Sequence, residues 1–171
     1  MMKKTLLLMS MMLAAAAGYS QTYVVVGNES RLFDRPNVKS YATTNTSGAD
    51  VVVSPGMVFK LAGEPQGGWC KIEYTPGLNA FMLESQTASG ATLAAPRGGT
   101  YSVANNAGEN VTVSGGEGSW TIKAGSETLK GVEADNAVVF SDRFGNPAYS
   151  FVVMSGKPVV YNYSNDITKF F

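Results

Sequence analysis

Short β-branched and aromatic runs, each broken by Gly, Pro, Asn or Ser, set the pattern of this chain. In the first half they are "TYVVVG" (22–27), "DVVV" (50–53), "MVFKLAG" (57–63), "WCKIEY" (69–74) and "NAFML" (79–83). Beyond residue 20 no window shows apolar residues at i, i+3, i+4 and i+7, the spacing of a helix with one buried face. Short alternating runs between turn residues predict strands, and strands at this spacing predict an all-β sandwich or barrel.

The pattern restarts in the second half with "TYSVA" (100–104), "NVTVS" (110–114), "SWTIKAG" (119–125) and "ETLKGV" (127–132). "AVVFSD" (137–142), "YSFVVM" (149–154) and "VVYNY" (159–163) follow. Gly-Ser, Gly-Asn and Ser-Gly between these runs are hairpin signals. They predict an antiparallel meander of about six or seven strands, which must curl or pair with another sheet to hide one face. Between the halves lies "SQTASGATLAAPRGGT" (85–100), with no aromatic and no β-branched residue except threonine. Unstructured loops of that length are uncommon inside a domain. The expected organisation is therefore a first β domain over 22–87, a linker over 88–98 and a second antiparallel β domain, barrel or sandwich, over 99–171. The alternative is one domain with a long surface loop.

The first 20 residues stand apart. Lys3 and Lys4 precede an apolar run from Leu6 to Ala17 and then small residues, the order of a cleavable secretory signal. Cleavage fits after Ser20 or a few residues earlier in the alanines. The run is short for a bilayer span, which needs about 20 apolar residues. No cysteine follows it to carry a lipid. The expected product is extracytoplasmic, periplasmic or secreted, without a lipid anchor or a transmembrane segment. The closing "ITKFF" places Lys169 and Asn165 at alternate positions from Phe171, which does not suit a lipid-facing strand.

Charge narrows the partners. Without Lys3 and Lys4, 11 basic side chains face 13 acidic ones, a formal charge of −2. There is no basic stripe, so no nucleic-acid partner is expected. The single cysteine excludes an intramolecular disulfide framework, and no histidine occurs anywhere. Histidine-based triads, histidine-activated thiols and most zinc sites are thereby removed. The carboxylates are scattered. A histidine-free hydrolase would need two of them facing one cleft. The expectation is no enzyme, no cofactor and no metal.

The stretch "GGWCKIEY" holds the residues of most interest. Alternation places Trp69, Lys71 and Glu73 on one face of its strand, and Cys70, Ile72 and Tyr74 on the other. Cys70 beside Ile72 reads as a small core hydrophobe whose thiol is inert when buried; pairing with another chain is the alternative an odd cysteine leaves open. Trp69 is either a lid on the edge of the barrel or part of a ligand platform. "GSWTIKA" (118–124) weakly echoes this stretch.

Residues 23–87 resemble a bacterial SH3 domain of the SH3b type. The resemblance rests on "RLFDRPNVKS" (31–40), "SPGMVFKLAGE" (54–64), "GGWCKIEY" (67–74) and "PGLNAFMLES" (76–85), in that order. The loop over 38–49 is longer than expected of the family, and Phe81 stands where tryptophan is frequent. The resemblance implies a five-stranded SH3-like small barrel and a groove beside the long loop and the Trp-bearing hairpin. Phe33, Tyr41, Trp69 and Phe81 are the residues it assigns to that groove, with Tyr74 in the core. It implies a binding protein that holds a peptide or cell-wall fragment. The alternative is a structural or assembly protein of the envelope, its aromatic face packed on the second domain or on a partner chain such as another envelope protein.

Overall fold

The structure is a computed structural model that describes residues 23–166. The expected signal segment and the "ITKFF" end lie outside the described residues. The fold is all-β, with no α-helix among the described residues. In the first half, β1 (Tyr23–Val25), β2 (Ser30–Arg31), β3 (Val52–Val53), β4 (Val58–Leu61), β5 (Trp69–Thr75) and β6 (Leu78–Leu83) form two antiparallel sheets. One runs β1-β4-β5-β6 and the other pairs β2 with β3. Their inward residues, among them Val24, Val53, Phe59, Cys70, Ile72 and Met82, make one buried cluster.

After a 3₁₀ turn at Glu84–Gln86 comes β7 (Leu93–Ala94), then the meander: β8 (Gly99–Ala104), β9 (Asn110–Gly116), β10 (Ser119–Ala124), β11 (Glu127–Ala134), β12 (Ala137–Ser141), β13 (Pro147–Met154) and β14 (Lys157–Asn162). Each pairs antiparallel with the next. Four of the hairpins turn on two-residue loops. In one, Ser155 (φ 49°) and Gly156 (φ 74°) both lie in the left-handed region, the geometry that matches the twist of the flanking strands.

Seven strands in a meander leave β8 and β14 running the same way. The sheet curls until these edges meet at one end, where Asn106 acts as a clasp. Its side-chain amide donates to the Asn162 carbonyl (3.1 Å) and its Oδ1 accepts from the Asn162 N–H (2.6 Å). A side chain thus supplies the paired hydrogen bonds a neighbouring strand would have made. Every strand of the meander adds to the enclosed core, from Tyr101 on β8 through Trp120 and Phe151 to Val160 on β14. Trp120 is 2% exposed and lies opposite Gly115 on β9 and Gly131 on β11. A Cβ on Gly115 would come within 2.1 Å of the indole; the bare backbone lets the ring lie flat across the sheet.

Strands β12, β13 and β14 bury both faces. Val138 and Phe140 point into the curled sheet, while Ala137 and Val139 point out to meet Val25 and Val58 of the first half. On β14, Val160 points in and Tyr161 points out, into the core of the first half. The continuous apolar runs "AVVF", "FVV" and "VVY" follow from this two-sided burial, since only a one-sided strand needs to alternate. The segment expected as a linker, 88–98, is tied to both halves: the Ala88 N–H donates to the Val25 carbonyl (2.8 Å), and β7 pairs with β13.

Tyr163 pins the junction. β5 pairs with β4 only from Lys60 onward, so the Val58 main chain lacks a strand partner on that side. The Tyr163 hydroxyl donates to the Val58 carbonyl and accepts from its N–H at 3.1 Å. Its ring meets Phe59 and Tyr161 edge-on.

Two substitutions test this account by chemical denaturation. Gly115→Ala is expected to destabilise by about 1–3 kcal/mol, because the indole must leave its rotamer. Tyr163→Phe is expected to cost about 1–3 kcal/mol by stranding the buried Val58 amide. An unchanged midpoint in either variant would contradict the packing described.

Candidate functional site

Gly67 (φ 58°) and Gly68 (φ 82°) form a two-residue turn closed by hydrogen bonds between Gln66 and Trp69 (2.9 and 3.0 Å). Few other residues tolerate two successive left-handed positions. The turn starts β5 with its first side chain, Trp69, on the outer face. Alternation then holds as far as Glu73: Trp69 is half-buried, Cys70 buried, Lys71 exposed and Ile72 buried. A β-bulge between Glu73 and Thr75 ends it. Two residues there oppose one on β6, so Thr75 takes a buried place and Tyr74 is left half-buried against the first core. Bulges re-aim side chains in this way.

Three of the four expected groove residues come together. Phe33 exchanges main-chain hydrogen bonds with Phe81 on β6 (2.9 and 2.8 Å). Its ring stands edge-on to the Trp69 indole, with centroids 5.6 Å apart and planes at 87°. Phe81 pairs with Lys71, two residues along from Trp69 on the same face. All three rings are half-buried, and the apolar layer shared by the two halves contains none of them. Edge-to-face contact fixes each ring against the other while part of each stays open to a ligand. Tyr41 is held nearby through its main chain, whose carbonyl accepts from the Asp34 N–H (3.2 Å), but its ring is 87% exposed and joins no aromatic pair among the described residues. Val38, 61% exposed on the same loop, is an apolar residue the sequence reading did not single out.

Beneath this face Cys70 is 1% exposed among Ile72, Ala80 and Met82. Burial, helped by the Glu84 carboxylate, pushes its pKa from 9.0 to about 11. The thiolate, the form that attacks or binds metal, is therefore scarce at neutral pH.

No protein-family model, curated protein or solved structure matches this chain. The chemistry of the site rests on its geometry alone.

A second concavity lies between the halves. It is a cleft of about 450 Å³ lined by Tyr23, Lys60, Glu73 and Thr75 of the first half and by Asn146 and Tyr163 of the second. Asp142 also reaches it. That carboxylate accepts hydrogen bonds from the Asn146 N–H (2.9 Å) and the Phe144 N–H (2.8 Å). These bonds, the one from Asn146 foremost, hold its pKa below the usual aspartate range. Glu73 and Asp142 thus share a cleft, but Asp142 is ionised and committed to its own turn, which makes it a poor proton donor. The Tyr163 phenol is driven well above the ordinary tyrosine range by burial, against the opposing hydrogen bond from the Val58 N–H.

The raised thiol pKa has a stability consequence. In the unfolded chain Cys70 ionises first, so the stability contributed by its protonated form is full below pH 9.0 and is lost as pH rises through 11. The loss is on the order of 2 kcal/mol. Thermal midpoints measured from pH 8 upward should fall more steeply in the native chain than in Cys70→Ala. A thiol reagent should label Cys70 only on unfolding. Rapid labelling of the folded protein would refute the burial of the sulfur.

Proposed function

We propose that this protein is a non-enzymatic, extracytoplasmic binding protein whose first half, SH3b-like, holds a peptide or cell-wall fragment on the Phe33–Trp69–Phe81 face. The edge-to-face contact of Phe33 with Trp69, both half-buried, carries this reading; Val38 and Tyr41 are exposed on the loop that follows Phe33. Such a surface binds by stacking and apolar burial, with Lys71 as the neighbouring charge. The signal-like first 20 residues and the ordered SH3b-type motifs support the location and the class of ligand. A small, shallow surface leaves little free energy after ordering costs, so one site binds modestly.

The alternative is an assembly protein whose aromatic face is covered by another envelope protein. The exposure of Val38 and Tyr41 suits that reading too, because exposed apolar clusters mark contact surfaces of either kind.

Sedimentation with purified bacterial sacculi separates the two. The mature protein should co-sediment. Trp69→Ala should weaken retention by about tenfold or more, the loss expected of an aromatic anchor, and Phe144→Ala, an exposed aromatic elsewhere, should not. A native protein that stays in the supernatant would reject wall binding. Retention unaffected by Trp69→Ala would reject the site.

A further inference from the structure

We infer that the cleft between the two halves is a separate binding site for a neutral carbohydrate of one or two rings. The cleft is about 450 Å³, within the range of small-molecule sites, and it lies at the junction of two packed units, where such sites are frequent. Its wall also covers an unmet polar group. Thr75 lines it, is 7% exposed, and its hydroxyl has no hydrogen-bond partner among the described residues. A buried hydroxyl without a partner is costly in the free protein; its oxygen is sealed from solvent, so a ligand oxygen reaches it, and removes that cost, once the Thr75 side chain turns about its Cα–Cβ bond.

The lining selects the ligand class. Tyr23 and Pro76 offer apolar surface, and Lys60, Glu73 and Asn146 offer donors and acceptors. Lys60 and Glu73 are cross-strand partners, so their opposite charges stand together. Asp142 is already occupied by its turn. The charge left over is the negative Asp142 carboxylate, which opposes an anion, and its oxygens are engaged by the turn rather than free for a cation. Main-chain edges are closed as well: the stretch of β4 that lacks a strand partner here, at Val58, is taken by Tyr163. A peptide adding as a strand would find no ladder to join. Apolar flats with mixed hydrogen-bonding groups fit a sugar ring, which has an apolar face and hydroxyls around its rim.

The test is titration of the isotopically labelled mature chain with cellobiose, maltose, lactose and N,N′-diacetylchitobiose at millimolar concentrations. At least one should shift the amide signals of Lys60, Thr75 and Asn146 and leave those of Phe33 and Trp69 in place. Thr75→Val should weaken that binding by about tenfold and raise the melting temperature of the free protein, because it deletes the unpaired hydroxyl while keeping its shape. Lys60→Ala, at an exposed position, should weaken binding with the melting temperature unchanged. Silence of the cleft signals with all four sugars would overturn the inference. So would full binding by Thr75→Val, or a response to a tyrosine- and proline-rich peptide in place of the sugars. Retention on sacculi through Trp69 is unaffected by Thr75→Val, so this inference and the proposed function fail separately.

Discussion

Burial of β12, β13 and β14 on both faces is the constraint on which the rest of the structure depends. One face closes the curled sheet around Trp120, Phe140 and Phe151, and the other receives Val25 and Val58. A sheet that is apolar on its outer face must be covered, and here the first half is the cover. Its position then follows. Tyr161 completes the core of the first half, Tyr163 takes the Val58 amide, and the segment after Glu84 is drawn along the junction until β7 reaches β13. The cleft is what remains where the bulge of β5 and the turn at Asp142 do not meet.

The two tryptophans show how one position of phase decides a fate. In "GGWCKIE" the aliphatic residue lies three places after the tryptophan, so the indole shares a face with Lys71 and Glu73. In "GSWTIKA" it lies two places after, so Trp120 shares a face with Ile122. A strand has period two, and a slip of one residue exchanges its faces. Trp69 is accordingly half-buried at an edge, whereas Trp120 is sealed in a core. The likeness of the two stretches as text conceals opposite roles.

Strands were legible because their turns are local. The all-β class, a meander of about six or seven strands in the second half and the inward sulfur of Cys70 all follow from alternation and turn residues. The contact between the halves was not read, although "AVVF", "FVV" and "VVY" carry its signal: unbroken apolar runs mean two buried faces. The convergence of Phe33, Trp69 and Phe81 was expected from the resemblance and is built by main-chain bridges that no local pattern encodes. Tyr41 shares the loop but not the ring contacts. The cleft was illegible. It joins residues from both halves, and Thr75 is buried only because a bulge shifts it by one place.

Both surfaces hang on the same strand. Trp69 opens β5 and Thr75 closes it, which sets them about 20 Å apart at the rise of an extended chain. Between them run Cys70 and Ile72, both locked in the first core. Groups this far apart with no shared partner contribute almost independently. A ligand at one end therefore has no direct contact through which to favour a ligand at the other. Coupling would have to pass through the junction, where a molecule in the cleft touches both halves and stabilises their contact by mass action. The aromatic face, built wholly from the first half, gains nothing from that contact unless the first half loosens when the junction opens. Tyr161, buried in the first core yet carried on β14, is the side chain through which that loosening would be felt.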